Sequence, residues 1–245
     1  MREQHRLLWS RPLANGREFE LTDRSPSGYL RLNADGVSMD LSSDSVIPTY
    51  ASYGRTQAVA ARAGIEADLL QKFEALSGSI GGMMLFPGFR VDGKASINQD
   101  RGTTHAIGDR LDLTLECVRR HYLTRSGGLL GLTSPLAETL LRYSTFFDFF
   151  GDFDEYVDHF LLQDLVVDGE VQFFLPLEDF ERSGLPMDSA EYDEYMRRTS
   201  AFVHQRNARM RALVPAIAEH DGVVGRSAAG PCSRAGCARF VAADA

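Results

Sequence analysis

Lysine is nearly absent from this sequence: of 26 Lys plus Arg, only Lys72 and Lys94 are lysine. A GC-rich coding sequence accounts for the shortage. The other reading is that position 94 needs a compact ammonium, because Lys and Arg are not physically interchangeable. Basic charge is short as well, 26 residues against 34 Asp plus Glu, for a formal net charge of -8. That balance argues against a general nucleic-acid-coating protein, though not against a local basic groove. The three cysteines make no disulfide framework and suit a reducing compartment. Cys117 falls in a helical pattern as a small apolar residue, and Cys232 and Cys237 are spaced too widely for a tight zinc pair. No apolar run approaches the roughly 20 residues of a membrane span. The opening 1-MREQHRLLWSRP-12 lacks a signal peptide's apolar centre, so a cytoplasmic protein with no membrane contact is expected. Also missing are Gly-x-Ser-x-Gly, His-Glu-x-x-His and Cys-x-x-Cys, and the glycines at 78, 81 and 82 lack the phosphate-loop spacing. A hydrolase of common design is therefore not supported.

What is present suits a globular chain. The 245 residues are 44% apolar and 24% charged, enough to bury a core without metal or disulfide staples. Residues 1–50 read as β structure with turns, including a hairpin across 35-DG-36. Residues 54–77 read as a helix. The run 83-MMLFP-87 and the segment 94–98 read as a second hairpin turned by 92-DG-93. From 106 the period predicts an amphipathic helix, with Ile107, Leu111, Leu115, Val118 and Tyr122 on one face and Asp109, Asp112, Glu116, Arg119 and Arg120 on the other. Further helices are predicted from Pro135, after Asp152 and over 189–219, with a strand at 171–176. The sum is an α+β fold: a β-rich N-terminal part and a β-hairpin packed on several helices, as a single domain over 1–220, with a flexible tail at 221–245.

The densest polar cluster is 94-KASINQDRG-102. Lys94, Asn98 and Arg101 near a helix start, with Arg119 on the following helix, could hold a phosphate or carboxylate. The alternative is a turn whose side chains satisfy backbone, with Arg101 paired to Asp109 or Asp112. Glu155 and His159 are four apart on a helix beside Asp158, a two-ligand spacing for a divalent metal that lacks a third ligand at helical spacing. Arg197 and His204, seven apart, resemble the Arg–His pair of metal-independent helical ribonucleases. His121 ends a helix, where a cation complements the dipole. Residues 145–195 carry fifteen acids against one base, Arg182, and could meet a basic protein partner. The leading expectation is a protein binding a small anionic ligand through 94–102. The alternatives are an enzyme on nucleotides or nucleic acid and an interaction module using the acidic region. No cofactor is indicated.

The segments 6-RLLWSRPLANG-16, 42-SSDSVIPTY-50, 80-IGGMMLFPGFRVDGKASINQDRG-102, 109-DRLDLTLECVRRHYL-123 and 141-LRYSTFFDFFGDFDEYVDHFLLQDLV-166 resemble a family of uncharacterised bacterial proteins, known only as a domain of unknown function. The resemblance spans most of residues 5–210. It implies a bacterial, cytoplasmic, one-domain protein whose relatives begin further upstream, and it supplies no activity, cofactor or site residues.

Overall fold

A computed structural model describes residues 2–23, 29–47, 61, 64–125 and 133–226, with side chains as far as 214. Helix α1 (Arg2–Trp9) leads into an antiparallel meander of β1 (Glu20–Asp23), β2 (Leu30–Ala34), β3 (Val37–Ser45) and β4 (Met83–Pro87), in that order across the sheet. The predicted turn at 35-DG-36 joins β2 to β3. Asp35 and Gly36 both take positive φ, 46° and 76°, as this tight hairpin requires. Along β2 the period of two points Leu30, Leu32 and Ala34 inward.

The predicted hairpin over 83–98 is corrected. β4 pairs with β3, Leu41 opposite Pro87 and Ser45 opposite Met83. The turn at 92-DG-93 forms, with φ of 51° and 72°, but the chain then enters helix α3 (Ile97–Thr103). The cause lies in the side chains. Ser96 accepts from the Gln99 N–H while Gln99 Oε1 accepts from the Ser96 N–H, a reciprocal cap that starts a helix.

Before β4, helix α2 (Ala67–Ala75) runs through a 3-10 turn to the 3-10 segment Ile80–Gly82; most of the expected helix N-terminal to it lies outside the described residues. After α3, helix α4 (Leu111–Arg125) begins later than the period predicts, because Gly108 and Asp109 take φ of 57° and 65°. Helices α5 (Ala137–Arg142), α6 (Ser144–Phe147) and α7 (Phe153–His159) follow. Asp152 caps α7 as predicted, accepting from the Glu155 N–H at 2.9 Å. The expected strand at 171–176 shrinks to a two-residue ladder, β5 (Val166–Val167) with β6 (Glu170–Val171). Helix α8 (Ser189–Arg226) continues past residue 220, and the rest of the expected tail lies outside the described residues.

The core joins the inner face of the sheet to the aromatic stripe of α6 and α7. Phe150 packs on Phe146, Tyr156 and Phe160, and Tyr156 on Phe160, with ring centroids 5.0–5.6 Å apart. Helix α4 is buried on both faces, not one. Its expected solvent face is covered by 172–185: Asp112 accepts from Arg110 Nε at 3.0 Å and from the Phe174 N–H at 2.8 Å. Arg110 in turn donates to Gly184 O and Leu175 O.

Candidate functional site

Arg101 is 0% exposed. Its Nε donates to Thr114 Oγ1 at 2.9 Å, Nη1 to Asp44 Oδ2 at 2.5 Å, and Nη2 to the carbonyls of Asp109 (3.1 Å) and Ser45 (3.4 Å). The Asp109 carboxylate lies 3.6 Å from Nη1, and the guanidinium stands over the Phe86 ring. Burial pushes the Asp44 carboxyl up, against the pull of Arg101. Every donor is committed inside the protein, so Arg101 cannot contact a ligand as expected from the sequence. It ties β3, α3 and α4 together.

The rest of the 94–102 cluster is also largely structural. Asn98 Nδ2 donates to Ser42 Oγ at 2.8 Å. Asp100 accepts from Thr139 and from Arg142 Nη2 (3.2 Å), and the same Arg142 nitrogen donates to Ala95 O. Lys94 is exposed, and its backbone N–H closes the turn onto Val91 O. Neither Lys94 nor Asn98 lines the cleft in which Arg119 stands.

Arg119 lies elsewhere. A cleft of about 520 Å³ separates the end of α4 from 148–154. Arg119, Tyr122 and Arg125 form one wall, and Asp148, Phe150, Phe153 and Asp154 the other. Arg119 is aimed by the buried Glu116, which accepts from its Nε (2.8 Å) and Nη2 (3.2 Å) and from Arg120 Nε (2.8 Å). Those bonds and charges hold the Arg119 guanidinium above its ordinary pKa, so it stays charged. Its outer edge meets Glu170, whose side chain is 67% exposed. Arg125 pairs with Asp148, both half-exposed. The Tyr122 hydroxyl donates to Phe147 O at 2.8 Å and presents its ring to the cleft. Of these residues only Arg119 is a candidate anion contact by sequence. Arg125 and Asp148 carry no motif, and they meet only because α4 and α6 pack against each other.

The remaining candidates fall apart or change role. His159 is buried, Glu155 accepts from Asn15 and the Gly151 N–H, and among the described residues no three His, Cys, Asp or Glu side chains converge as a metal would need. Arg197 and His204 do share a groove with α2, beside Lys72 and Phe73, but Glu194 holds Arg197 through two bonds of 2.8 Å. Burial brings His121 down to about 4, so it is neutral at pH 7 rather than a cation at the helix end. Part of the acidic region is matched by arginines: Asp164 with Arg209, Glu170 with Arg119, Asp179 with Arg120, and Glu191 with Arg182.

The fold and cleft define an α+β protein with a mixed-charge, aromatic-walled cavity between α4 and 148–154. The chain belongs to a family of unknown function (DUF6994), whose model matches residues 1–210. No curated protein and no solved structure matches it. No described helix is long and apolar enough to cross a membrane.

Proposed function

We propose that this chain is a binding protein for a small anionic ligand, with a carboxylate or phosphate on an apolar frame, held in the cleft between α4 and 148–154. Arg119 and Arg125 would take the anionic group, and Tyr122, Phe150 and Phe153 the frame. One observation carries the reading. Arg119 is locked from behind by the buried Glu116, while its outer edge faces the cleft against an exposed, replaceable glutamate. Exposed ion pairs such as Arg119–Glu170 contribute only about 0–1 kcal/mol, so a ligand anion can displace them. The volume lies within the roughly 300–1,000 Å³ usual for small-molecule sites. The reading keeps Arg119 from the sequence-based set and moves the site away from 94–102. It takes residues 1–220 as one domain.

A thermal-shift screen against inorganic phosphate, nucleoside phosphates and aromatic carboxylates tests it, with Arg119→Ala and Lys94→Ala beside the wild type. Ligand at 100 times its Kd adds about 2.7 kcal/mol to stability. The expected result is a raised melting temperature that Arg119→Ala loses and Lys94→Ala keeps. The reverse pattern returns the site to 94–102, and no shift with any anion ends the proposal.

A further inference from the structure

The cleft that holds Arg119 is lined by more acid than base: Arg119 and Arg125 against Asp148, Asp152 and Asp154. Arg125 and Asp148 pair with each other, which leaves Arg119 on one wall and Asp152 and Asp154 on the other. Those two aspartates have acceptors to spare. Asp152 spends Oδ1 on the cap of α7, and its Oδ2 accepts no hydrogen bond from any described residue. Asp154 makes no hydrogen bond or ion pair with any described residue, and both side chains stand exposed. Burial above all raises the Tyr122 hydroxyl above its ordinary range, and Tyr156, Asp148 and Asp152 add to the rise, so the Asp152 charge is felt inside the cleft.

The charges and the rings are neighbours. Phe153, between the two aspartates in sequence, sets its ring 6.4 Å from that of Tyr122. Tyr122 follows Arg119 by three residues on α4, a spacing that makes side chains adjacent on a helix surface. A plain anion therefore satisfies Arg119 but is repelled by Asp152 and Asp154. Among the described residues no three acids converge as a metal would need, so the cation suited to this wall is an organic one. An ammonium offers three N–H donors to carboxylate oxygens, and it is attracted to aromatic faces as well.

Building on the reading of Arg119 as the anion's partner, on which this rests, we propose that the ligand is a zwitterion: an α-amino acid with an apolar or aromatic side chain. Arg119 holds its carboxylate, Asp152 and Asp154 its ammonium, and Tyr122, Phe150 and Phe153 its side chain. Each charge of the ligand then meets an opposite one, and neither wall is left facing its own sign.

The test is calorimetric titration of the full chain at pH 7 and low salt with L-phenylalanine, 3-phenylpropanoate and phenethylamine, which share a ring and differ in charge. Phenylalanine is expected to bind at least about tenfold tighter than either of the others, since it alone makes both charged contacts. In the double variant Asp152→Asn/Asp154→Asn that preference should shrink to about twofold or less, with 3-phenylpropanoate bound as well as before or better. Asparagine at 152 keeps a capping oxygen, and retained 3-phenylpropanoate binding reports an intact cleft. Asp154→Asn alone, at an exposed and unpartnered position, should already weaken phenylalanine and spare 3-phenylpropanoate. If 3-phenylpropanoate binds the wild type as tightly as phenylalanine, or the double variant keeps the full preference, the zwitterion is overturned and the anion reading stands. Phenethylamine binding as tightly as phenylalanine overturns it too, by removing the need for a carboxylate. No response to phenylalanine ends the amino-acid assignment, whereas the anion reading falls only if 3-phenylpropanoate and the phosphates of the thermal-shift screen fail as well.

Discussion

At the scale of the residue, the polar groups that matter most are hidden. Arg101→Met removes one partner of a buried network and leaves Asp44 uncompensated. The expected loss is about 3–5 kcal/mol, read as a lowered urea midpoint. Lys94→Ala, at an exposed position, should change the unfolding free energy by no more than about 0.5 kcal/mol. The buried histidines give a pH dependence. Both His5, at about 4, and His159, at about 3, sit below the ordinary 6.5 because burial disfavours the imidazolium. The folded protein therefore binds these protons less readily than the unfolded chain. Their contribution is complete above about pH 6.5 and drains as pH falls towards 4 and 3, at up to about 1.4 kcal/mol per pH unit for each ring. Urea midpoints at pH 7 and pH 4.5 should show this loss, with a smaller difference in His159→Phe. An unchanged difference would refute the assignment to His159. The sequence displays Arg101 as one more charge in a polar loop. Its partner Asp44 lies 57 positions away, and charge carries no mark of burial.

At the scale of the element, local signals did well where the deciding chemistry is local. The β2–β3 hairpin and the Asp152 cap of α7 are both legible, because a few adjacent residues determine them. α3 was legible too, in Ser96 and Gln99, but the apolar run before it and the Asp-Gly turn suggested a strand. α4 misleads for another reason. Its polar face is real, yet the 172–185 segment covers it, and nothing near α4 in sequence announces that cover. Ser96→Ala should cost about 1 kcal/mol by deleting the cap of α3. The paired glycines before β4 make a sharper case. A Cβ on Gly82 would stand 2.2 Å from Leu76 O, and one on Gly81 would meet Asn207 at 2.7 Å, whereas one on Gly78 meets nothing within 4 Å. Gly82→Ala should therefore destabilise markedly, while Gly78→Ala stays near neutral; equal melting temperatures for the two variants would contradict this packing.

At the scale of the whole molecule, the α+β class was readable from the mixture of hairpin and helical periods, while the cleft was not. It is made by the meeting of α4 with 148–154, and depends on how the aromatic stripe seats itself under the sheet. If residues 1–220 fold as one domain, calorimetric and far-ultraviolet dichroism unfolding curves should coincide in a single transition. Two resolved steps would divide the chain. One consequence follows from the way α1 docks. Trp9 is the protein's only tryptophan. Its indole N–H donates to His5 Nδ1 at 3.0 Å, its ring lies beside the Arg206 guanidinium, and Arg206 holds the carbonyls of Gly81, Met83 and Phe160. The protein thus carries a native optical reporter on the joint between its first and last described helices. Indole emission should stay blue while α1 is seated and move red when His5 takes a proton and can no longer accept that bond, so that undocking can be followed without adding a dye.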